Sequence, residues 1–260
     1  MIETIHANLY DYPGYYDLVY GSDWKAEFDF LQDCFGRHAR RRVRRVFEPA
    51  CGTGRLLVKL AAAGYEVSGL DLNAAAVEYC NRRLSRRGFS PSAVVGDMAH
   101  FRLHGKVDVA FNMINSFRHL IDPREAESHL RCIAAALVKG GLYVLGLHLL
   151  PTVGQRLESE SWSARRGHLA VISRLWTIHL DPRKRRERLG MTLDIYMPTR
   201  SFRLVDEMVF RTYTVAQFRR LLGRVQELEV VETYDFTYRI DQPHKLRGDS
   251  EDVVFVLRRR

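Results

Sequence analysis

Between residues 43 and 150, short apolar runs alternate with longer stretches in which apolar residues recur at helical spacing. The short runs predict strands and the longer stretches predict amphipathic helices. The predicted strands are residues 43–50, 66–72, 93–96, 107–113 and 142–150, and the predicted helices are residues 55–63, 74–87 and 124–137. Because strands of nearly continuous apolar character are buried on both faces, the pattern predicts an α/β fold, a Rossmann-like doubly wound parallel sheet.

Residues 1–42 precede this predicted core and carry one clear helical stripe. The stripe follows a helix start at Ser22-Asp23, ends at Gly36 and consists of Trp24, Phe28, Leu31 and Phe35. Such spacing predicts an amphipathic helix that packs its apolar face on the core. The residues before it are rich in tyrosine. We therefore expect residues 1–42 to form an N-terminal lid and a helix.

The pattern changes at Pro151, where alternation with period two replaces the helical stripes. Three strands are predicted, at residues 170–180, 191–197 and 202–211, separated by the turn signals Asp181-Pro182 and Pro198-Thr199. Residues 151–212 are therefore expected to be an antiparallel β insertion after strand 5. We expect it to lie beside the carboxyl edge of the main sheet, where it covers the acceptor pocket or builds a dimer interface.

The last part of the chain returns to the earlier pattern. Residues 214–223 predict a helix capped by Thr214, and residues 227–236 and 252–257 predict two further strands. The predicted organisation is thus a lid over residues 1–42, a cofactor-binding core over 43–150, the insertion over 151–212, and the remainder of the core over 213–260.

Composition narrows the class of protein without naming its chemistry. Hydrophobic residues make up 46% of the 260 residues, which is ample for a folded core. No apolar run approaches the roughly 18 residues that a membrane span needs, and no secretory signal pattern is visible, so a cytoplasmic protein is expected. The four cysteines are scattered, which suggests neither a disulfide framework nor a metal site. The net charge of +9 is compatible with an RNA or anionic partner.

A glycine-rich turn joins the first predicted strand of the core to the helix that follows. Its sequence, from Val46 to Arg55, is VFEPACGTGR. Glycines at such a turn let the backbone approach a ligand and present amide donors to it. Asp71 lies seventeen residues after Gly54, at the end of the next strand, where a carboxylate accepts hydrogen bonds from ribose hydroxyls. The arrangement predicts a site for a nucleoside-containing cofactor.

The residues around this turn separate two classes of cofactor. A dinucleotide-binding turn would carry a third glycine where this chain has Leu57. Glu48 precedes the turn, and its carboxylate would repel a pyrophosphate but attract an ammonium or a sulfonium. S-adenosyl-L-methionine carries both of those cations, so the sequence favours it over NAD.

Four segments of the core together resemble the signature series of class I S-adenosylmethionine-dependent methyltransferases. In chain order they are EPACGTGR, GLDLN, GDM and KGG, the last standing before a strand. The resemblance implies a seven-stranded sheet in the order 3-2-1-4-5-7-6, with the last strand antiparallel. It also implies that the chain is a transferase that uses S-adenosyl-L-methionine as its cofactor.

The same resemblance implies roles for individual residues. The methionine end of the cofactor would be held by Glu48, Ala50, Gly52 and Gly54. The ribose would be bound by Asp71, and the adenine by Leu72, Asp97 and Met98. Asn112, at the end of the fourth strand, would line the pocket near the methionine and the acceptor. Two alternatives stay open, since Asp97 would cap a turn and Met98 would pack in the core without any cofactor.

The tyrosine-rich N-terminus resembles the lead-in segment of small-molecule N-methyltransferases, which folds over the cofactor. Tyr16 and Tyr20 match that segment best, with Tyr16 placed at the catalytic centre and Tyr20 at the cofactor. Aromatic faces attract a sulfonium by cation–π interaction. The alternative is that these rings only pack the lid against the core.

The loop after the fourth strand supplies the candidate acid–base residue. His119 lies in this loop, which faces the crevice where a doubly wound sheet binds ligands. We expect it across the pocket from Tyr16, with Asn112 between them and the cofactor. Methyl transfer is an in-line displacement that depends mainly on alignment, and an imidazole can take the acceptor's proton. The alternative is a histidine that is satisfied structurally at a helix start.

Two functions of different class remain at this stage. The layout is similar to amino-sugar N,N-dimethyltransferases and glycine/sarcosine-type N-methyltransferases, which favours methylation of an N or O atom of a small molecule. The alternative is an RNA methyltransferase or an RNA-binding relative, supported by basic clusters at residues 37–45, 183–186 and 258–260. Such clusters are usually solvated, so nucleic acid is not favoured, and any affinity for it should fall steeply with salt. We expect no membrane partner, no metal, and a monomer or homodimer.

Overall fold

A computed structural model describes residues 2–154 and 159–260 of the chain. The six α-helices of these ranges are α1 Pro13–Tyr20, α2 Lys25–His38, α3 Leu57–Ala62, α4 Ala74–Ser85, α5 Pro123–Ala136 and α6 Val215–Leu222. The strands are β1 Glu3–His6, β2 Arg45–Pro49, β3 Glu66–Asp71, β4 Ala93–Val95, β5 Val107–Asn112, β6 Leu137–His148, β7 Ser159–Arg166, β8 Leu169–Asp181, β9 Arg186–Tyr196, β10 Ser201–Arg211, β11 Leu228–Asp235 and β12 Asp252–Arg259. Two short 3₁₀ helices cover Leu9–Asp11 and Ser116–His119.

The main sheet has seven strands in the order β11-β12-β6-β5-β2-β3-β4. Counted along the chain within this sheet, the order is 3-2-1-4-5-7-6, and the final strand β12 runs antiparallel to both of its neighbours. The Rossmann-like doubly wound prediction is therefore confirmed. The carboxyl ends of β2, β3 and β5 meet at one edge, which is the edge where such sheets bind ligands.

Apolar side chains cover both faces of the main sheet. One face packs against α5 and α6 through residues that include Phe117, Leu130 and Phe218, each 0% exposed. The other face packs against α2, α3 and α4, with Phe30 of α2 at 5.1 Å from the ring of Tyr234. All six residues of β5 are buried, which is why this strand is nearly continuously apolar in the sequence, with Asp108 and Asn112 as its polar residues.

A second sheet has the order β1-β10-β9-β8-β7. It contains the three strands predicted in residues 151–212, and it gains two that the sequence analysis missed. The strand β7 is mostly exposed and polar, and the four-residue β1 pairs in parallel with β10 at the opposite edge. Neither edge strand buries an apolar face, so neither produces the alternation by which strands are recognised.

Helix α2 departs from its predicted bounds at both ends. It begins at Lys25 instead of Ser22-Asp23, and it continues through Gly36 to His38. Gly36 faces open space, since a Cβ atom placed there would meet nothing within 4 Å. A glycine on the solvent side of a helix weakens it slightly without ending it, so the prediction of a stop at Gly36 was wrong.

The second sheet is fastened beside the loop that follows β5. Arg118 lies in this loop, and its Nη2 donates to Glu187 of β9 at 2.6 Å. Arg211 at the end of β10 donates to the Ile121 carbonyl, also at 2.6 Å. These contacts bring the antiparallel strands to the carboxyl side of the main sheet.

The division of the chain into four functional parts stays a prediction. No helix in the described ranges is long and apolar enough to cross a membrane.

Candidate active site

The glycine turn after β2 adopts backbone conformations that suit its sequence. Ala50, Gly52 and Gly54 all have positive φ angles, of 53°, 51° and 70°. A Cβ atom on Gly54 would collide with the sulfur of Cys80, so this glycine lets the turn pack closely on α4. A Cβ atom on Gly52 would meet nothing within 4 Å. Gly52 therefore faces open space from which a ligand can reach the backbone.

Asp71 at the end of β3 fastens this turn to the neighbouring strand. Its two carboxylate oxygens accept the N–H groups of Gly52 and Asn73, each at 2.8 Å. Burial raises the pKa of Asp71, and these two hydrogen bonds oppose that rise. Each carboxylate oxygen has a second lone pair, so Asp71 can also accept from a hydroxyl. Leu72 follows it with 70% of its surface exposed beside the turn.

Two buried acceptor oxygens at this edge have no hydrogen-bond partner within residues 2–154 and 159–260. They are Oε2 of Glu48 on β2 and Oδ1 of Asn112 on β5, whose residues are 9% and 1% exposed. The amide group of Asn112 donates to the Pro49 carbonyl at 2.6 Å, which directs its oxygen away from that strand. Burial raises the pKa of Glu48 well above its ordinary value, and Arg55 opposes the rise.

Unpaired buried acceptors are costly, so this pair indicates a ligand with N–H donors. An ammonium group supplies three donors and a positive charge that would stabilise the ionised form of Glu48. Together with the open backbone at Gly52 and the carboxylate of Asp71, the site fits an amino-acid end and a ribose. The chemistry of S-adenosyl-L-methionine therefore matches the residues present.

Arg55 joins the turn to helix α2 and was not among the predicted site residues. Its guanidinium pairs with Glu27 at 2.5 Å and donates to the Asp23 carbonyl at 2.8 Å. Burial and Glu27 act in opposite directions on this guanidinium, and Glu27 raises its pKa. Arg55 thus places a fixed positive charge near Glu48 and Tyr16.

Asp97 and Met98 have structural partners of their own. Asp97 accepts the N–H of Ala99 at 2.8 Å and contacts Nδ1 of His100 at 3.0 Å, so it caps the turn after β4. Burial raises the pKa of Asp97, but these contacts outweigh it and lower the pKa overall. Met98 is 6% exposed and belongs to the core cluster with Phe47. Both structural alternatives therefore apply, and contact with adenine stays a prediction.

Three tyrosines of the N-terminal segment contact one another in a row near this edge, with their rings tilted. The ring centres of Tyr10 and Tyr16 are 5.4 Å apart, and those of Tyr16 and Tyr20 are 4.6 Å apart. The Tyr20 hydroxyl is 2.6 Å from Oγ of Ser173 in the second sheet. Burial raises the pKa of Tyr16 to about 12, so its hydroxyl is neutral near pH 7. The row presents aromatic faces beside the glycine turn.

Asp17 holds the tyrosine row in place, although the sequence analysis did not select it. It is 5% exposed, accepts the Thr53 hydroxyl at 3.1 Å and pairs with Arg83 at 2.6 Å. Thr53 belongs to the glycine turn and Arg83 to α4, so Asp17 ties α1 to both. The position of Asp17 between Tyr16 and Tyr20 in the lead-in motif was the one feature of the sequence that could have indicated its role.

His119 lies at the end of the 3₁₀ helix that follows β5. Its Nε2 is 3.1 Å from the Tyr10 hydroxyl, and its ring packs edge-on to Phe210 at 4.7 Å. Burial and the adjacent Arg118 lower the pKa of His119 to about 4, so its ring is neutral near pH 7. Tyr10 thus stands between His119 and Tyr16, a connection that no local motif indicated. The catalytic role of His119 stays a prediction.

A second group of polar residues lies at the carboxyl end of β6. His148 forms an ion pair with Asp252 and lies 5.3 Å from the ring of Phe236. Burial raises the pKa of Glu160 on β7, and His148 opposes that rise. Burial, Tyr16 and the charge of Glu160 also raise the pKa of Tyr20. Glu160 is therefore electrostatically coupled both to Tyr20 and to the His148–Asp252 pair.

Comparison with known proteins supports the same interpretation. Residues 46–141 match the family described as methyltransferase domain. The dTDP-3-amino-3,6-dideoxy-alpha-D-glucopyranose N,N-dimethyltransferase of Streptomyces fradiae is 32% identical over 135 residues, or 50% of each protein. The alignment thus spans half the length of that curated relative.

Solved structures extend the likeness to nearly the whole chain. An S-adenosylmethionine-dependent methyltransferase from Clostridium acetobutylicum has a TM-score of 0.77 at 17% identity, covering 96% of this chain and 99% of that one. An S-adenosylmethionine-bound amino pentose methyltransferase from Micromonospora echinaspora has a TM-score of 0.73 at 20% identity, covering both chains fully, at 100% each. At these identities the likeness establishes the fold. Residues 46–141 thus match the methyltransferase domain, and the signature motifs and the seven-stranded sheet are those of the class I S-adenosylmethionine-dependent methyltransferases, which the chain resembles.

Proposed function

We propose that this chain uses S-adenosyl-L-methionine to methylate the amino group of a small molecule. The observation that carries the cofactor assignment is the pair of unpaired buried oxygens on Glu48 and Asn112, beside the open backbone of Gly52. The relatives reported above are methyltransferases, and two of them act on amino sugars by their names. When bound, the cofactor would supply a methyl group on a sulfonium centre.

The residues at the sheet edge would divide the cofactor among them. Glu48 and Asn112, with the turn from Ala50 to Gly54, would hold the methionine end, and Asp71 would accept the ribose hydroxyls. Leu72, with the segment Asp97-Met98, would border the adenine. Tyr16 and Tyr20 would place aromatic faces toward the sulfonium, where cation–π attraction favours a positive charge. These are the cofactor roles that the sequence resemblance implied.

The charge around the tyrosine row favours an amine over a hydroxyl as acceptor. Glu160 interacts electrostatically with Tyr20 and with the His148–Asp252 pair, which brings carboxylates near the tyrosine row. Carboxylates and aromatic faces attract an ammonium by its charge, whereas a neutral hydroxyl would gain only a hydrogen bond from the same carboxylates. An amine acceptor would arrive largely protonated and must lose one proton before it attacks the methyl group. The neutral ring of His119, joined to Tyr10, is the proposed receiver of that proton.

The proposed function is tested by methyl transfer to matched acceptors. Purified protein with S-adenosyl-L-methionine is incubated with nucleotide-linked amino sugars, with free amino sugars, and with the corresponding sugars in which a hydroxyl replaces the amine. We expect mass spectrometry to find a methyl gain on amines only. Methylation of the hydroxyl series alone, or of no small molecule while RNA is methylated, would contradict the proposal.

The variant Glu160→Gln tests whether Glu160 binds the amine acceptor. Removing one carboxylate from the acceptor side should raise the KM for the amine roughly tenfold, since a hydrogen bond to a charged group contributes about 1.5–3 kcal/mol. Steady-state kinetics with the best amine acceptor provide the measurement. Glu207→Gln is the matched control, because Glu207 is an exposed residue of β10 that pairs only loosely with Arg188, at 3.9 Å. An equal KM for the amine in wild type and Glu160→Gln would show that Glu160 does not bind the acceptor.

A pH dependence follows from the raised pKa of Glu48. The free protein holds a proton on Glu48 above the ordinary range, and a bound ammonium favours the ionised form, so cofactor binding should release that proton. Affinity for S-adenosylhomocysteine is therefore expected to rise with pH above the ordinary carboxyl range, by at most tenfold per unit. Calorimetry above this range measures the slope. Glu48→Gln should flatten it, and an equally steep slope in that variant would contradict the assignment.

The geometry weakens the RNA alternative. The clusters at residues 37–45 and 258–260 come together, since Arg258 donates to the His38 carbonyl at 2.9 Å. They lie at the amino ends of the parallel strands, where β2 begins and β12 finishes. The methyl-transfer site is at the carboxyl ends, so RNA bound to this patch would not meet it. We expect RNA affinity to be weak and to fall steeply with salt.

A further inference from the structure

Four buried polar side-chain atoms that have no hydrogen-bond partner in the part of the chain that the structure describes lie together where the second sheet meets α6. They are Nε of Arg185, Nε of Arg211, Oγ1 of Thr212 and the hydroxyl of Tyr213. Arg185 is in the turn between β8 and β9, and its carbonyl accepts the N–H of Thr212 at 3.0 Å. That hydrogen bond joins the two segments, so the four atoms belong to one cluster. This cluster takes no part in the proposed methyl transfer.

The two guanidinium groups of the cluster share one aromatic ring. The Cζ atom of Arg185 is 5.1 Å from the centre of the Tyr213 ring, and that of Arg211 is 5.6 Å from it. Arg211 is only 6% exposed and Tyr213 only 1%. Burial lowers the pKa of Arg185, and the charge of Arg211 lowers it further. Two like charges are therefore crowded in a place with little water.

The neighbouring carboxylates are committed elsewhere. Glu187 accepts Arg118 at 2.6 Å and the hydroxyl of Thr177 at 2.7 Å. Asp122 caps α5 by accepting the N–H of Arg124 at 2.8 Å. Within residues 2–154 and 159–260, no ion pair includes Arg185 or Arg211. Buried positive charges without a counter-charge are unfavourable, and an anion would relieve them.

A cavity of about 330 Å³ borders this cluster at Arg211. It is lined by Arg211, together with Lys184 and Arg186 of the turn and with the residues that begin α5. Asp122 and Glu125 also line it, but both accept backbone N–H groups at the start of α5. The lining thus carries three positive side chains, and of the Arg211 nitrogens Nη1 donates to the Ile121 carbonyl while Nε has no partner among the described residues.

We propose that Arg185, Arg211, Thr212 and Tyr213 form a binding site for a phosphate group. The unpaired atoms are nitrogen and hydroxyl donors, and a phosphate offers several acceptor oxygens with the charge that two arginines require. Free inorganic phosphate and the phosphate of a phosphorylated acceptor share this chemistry. Arg118 donates to the Arg211 carbonyl at 3.1 Å, which links the site to the 3₁₀ helix that carries His119. The phosphate of a phosphorylated acceptor would therefore bind near His119, the residue proposed to take the acceptor's proton.

The first experiment uses inorganic phosphate and needs no methyl transfer. Calorimetry and thermal unfolding are measured in phosphate buffers balanced with sodium chloride to constant ionic strength. Wild type should bind phosphate and gain at least about 2 °C in Tm at saturation. Arg185→Gln and Tyr213→Phe should weaken that binding at least tenfold. Arg183→Gln, an exposed arginine two residues earlier, should leave it unchanged, and circular dichroism checks that each variant is folded.

The second experiment separates the two sources of phosphate. The KM of a phosphorylated amine acceptor is compared with that of its dephosphorylated form in wild type and Arg185→Gln. A tenfold rise confined to the phosphorylated form supports a site for the acceptor's phosphate, whether or not inorganic phosphate binds. Phosphate binding with equal KM changes supports a site for the free anion. Two results together would overturn the proposal. Inorganic phosphate would either fail to bind wild type or bind Arg185→Gln with equal affinity, and the KM values of the phosphorylated and dephosphorylated acceptors would change equally or not at all without any binding of inorganic phosphate at this site. Failure of methyl transfer alone would leave the first experiment intact.

Discussion

Asp71→Ala is expected to weaken the binding of S-adenosylhomocysteine at least tenfold. The carboxylate would lose two charge-assisted hydrogen bonds to the ribose, each contributing about 1.5–3 kcal/mol. It would also release the N–H of Gly52, which Asp71 now accepts at 2.8 Å. The glycine turn would then lose the hydrogen bond that fixes its backbone toward the ligand. Isothermal titration calorimetry of wild type and variant measures the change directly.

Two companion variants separate the ribose contact from the turn. Asp71→Asn keeps one oxygen that can accept the Gly52 N–H, so it should retain the turn while it loses the charge at the ribose. Its affinity should therefore fall between those of wild type and Asp71→Ala. Asp33→Ala, at an exposed position of α2, serves as a matched control that should bind normally. A folded Asp71→Ala protein with wild-type affinity would refute the ribose assignment.

His119→Ala is expected to slow turnover by roughly 10²- to 10⁴-fold while cofactor affinity stays the same. This range is what a positioned general base contributes, and alignment of acceptor and cofactor supplies the remaining acceleration. Because burial holds the pKa of His119 at about 4, its ring is neutral from pH 6 upward and can accept a proton. The pH profile of kcat should accordingly lack an inflection near 6.5, the ordinary histidine value.

Further variants at the same contact distinguish a base from a positioning group. His119→Gln retains a polar group beside the Tyr10 hydroxyl but cannot take a proton, so it should be nearly as slow as His119→Ala. Tyr10→Phe removes the hydroxyl that lies 3.1 Å from Nε2 and should have a smaller effect. A loss below about tenfold in His119→Ala, or full rescue by His119→Gln, would reduce His119 to a positioning role.

The main sheet could be predicted because its strands are buried on both faces. The six buried residues of β5 produce a nearly continuous apolar run, and the glycine turn and Thr214 cap produce local signals at helix starts. The edge strands β1 and β7 gave no such signal, since pairing with a neighbouring strand holds them in place without burying an apolar face. Their recognition depends on contacts between residues far apart in sequence.

The residues proposed to bind the cofactor could be selected from the sequence because they lie at strand ends in a fixed order. Asp71 and Asn112 each end a strand of the main sheet, Glu48 is the last residue but one of β2, and parallel strands bring their ends to one edge. The acceptor side behaves differently. Glu160 and Asp252 stand 92 positions apart in the numbering and meet only through the folded chain. No local spacing could have paired them.

The basic clusters show a similar limit. The sequence presents them as three separate runs, and their charge alone could not say which would meet. In the fold, two runs share the amino edge of the main sheet through Arg258 and His38. The third run places Arg185 beside Arg211, where burial concentrates charge without a carboxylate partner. Arrangement in space, more than the total of +9, therefore decides what these residues can bind.

The central claim is that the edge formed by Glu48, Gly52, Asp71 and Asn112 binds S-adenosyl-L-methionine. The most direct measurement is calorimetric titration of the wild-type protein with S-adenosylhomocysteine and, separately, with NAD at pH 7. We expect saturable binding of one S-adenosylhomocysteine per chain and no binding of NAD. Absence of S-adenosylhomocysteine binding by folded protein, or binding of NAD at the same site, would contradict it.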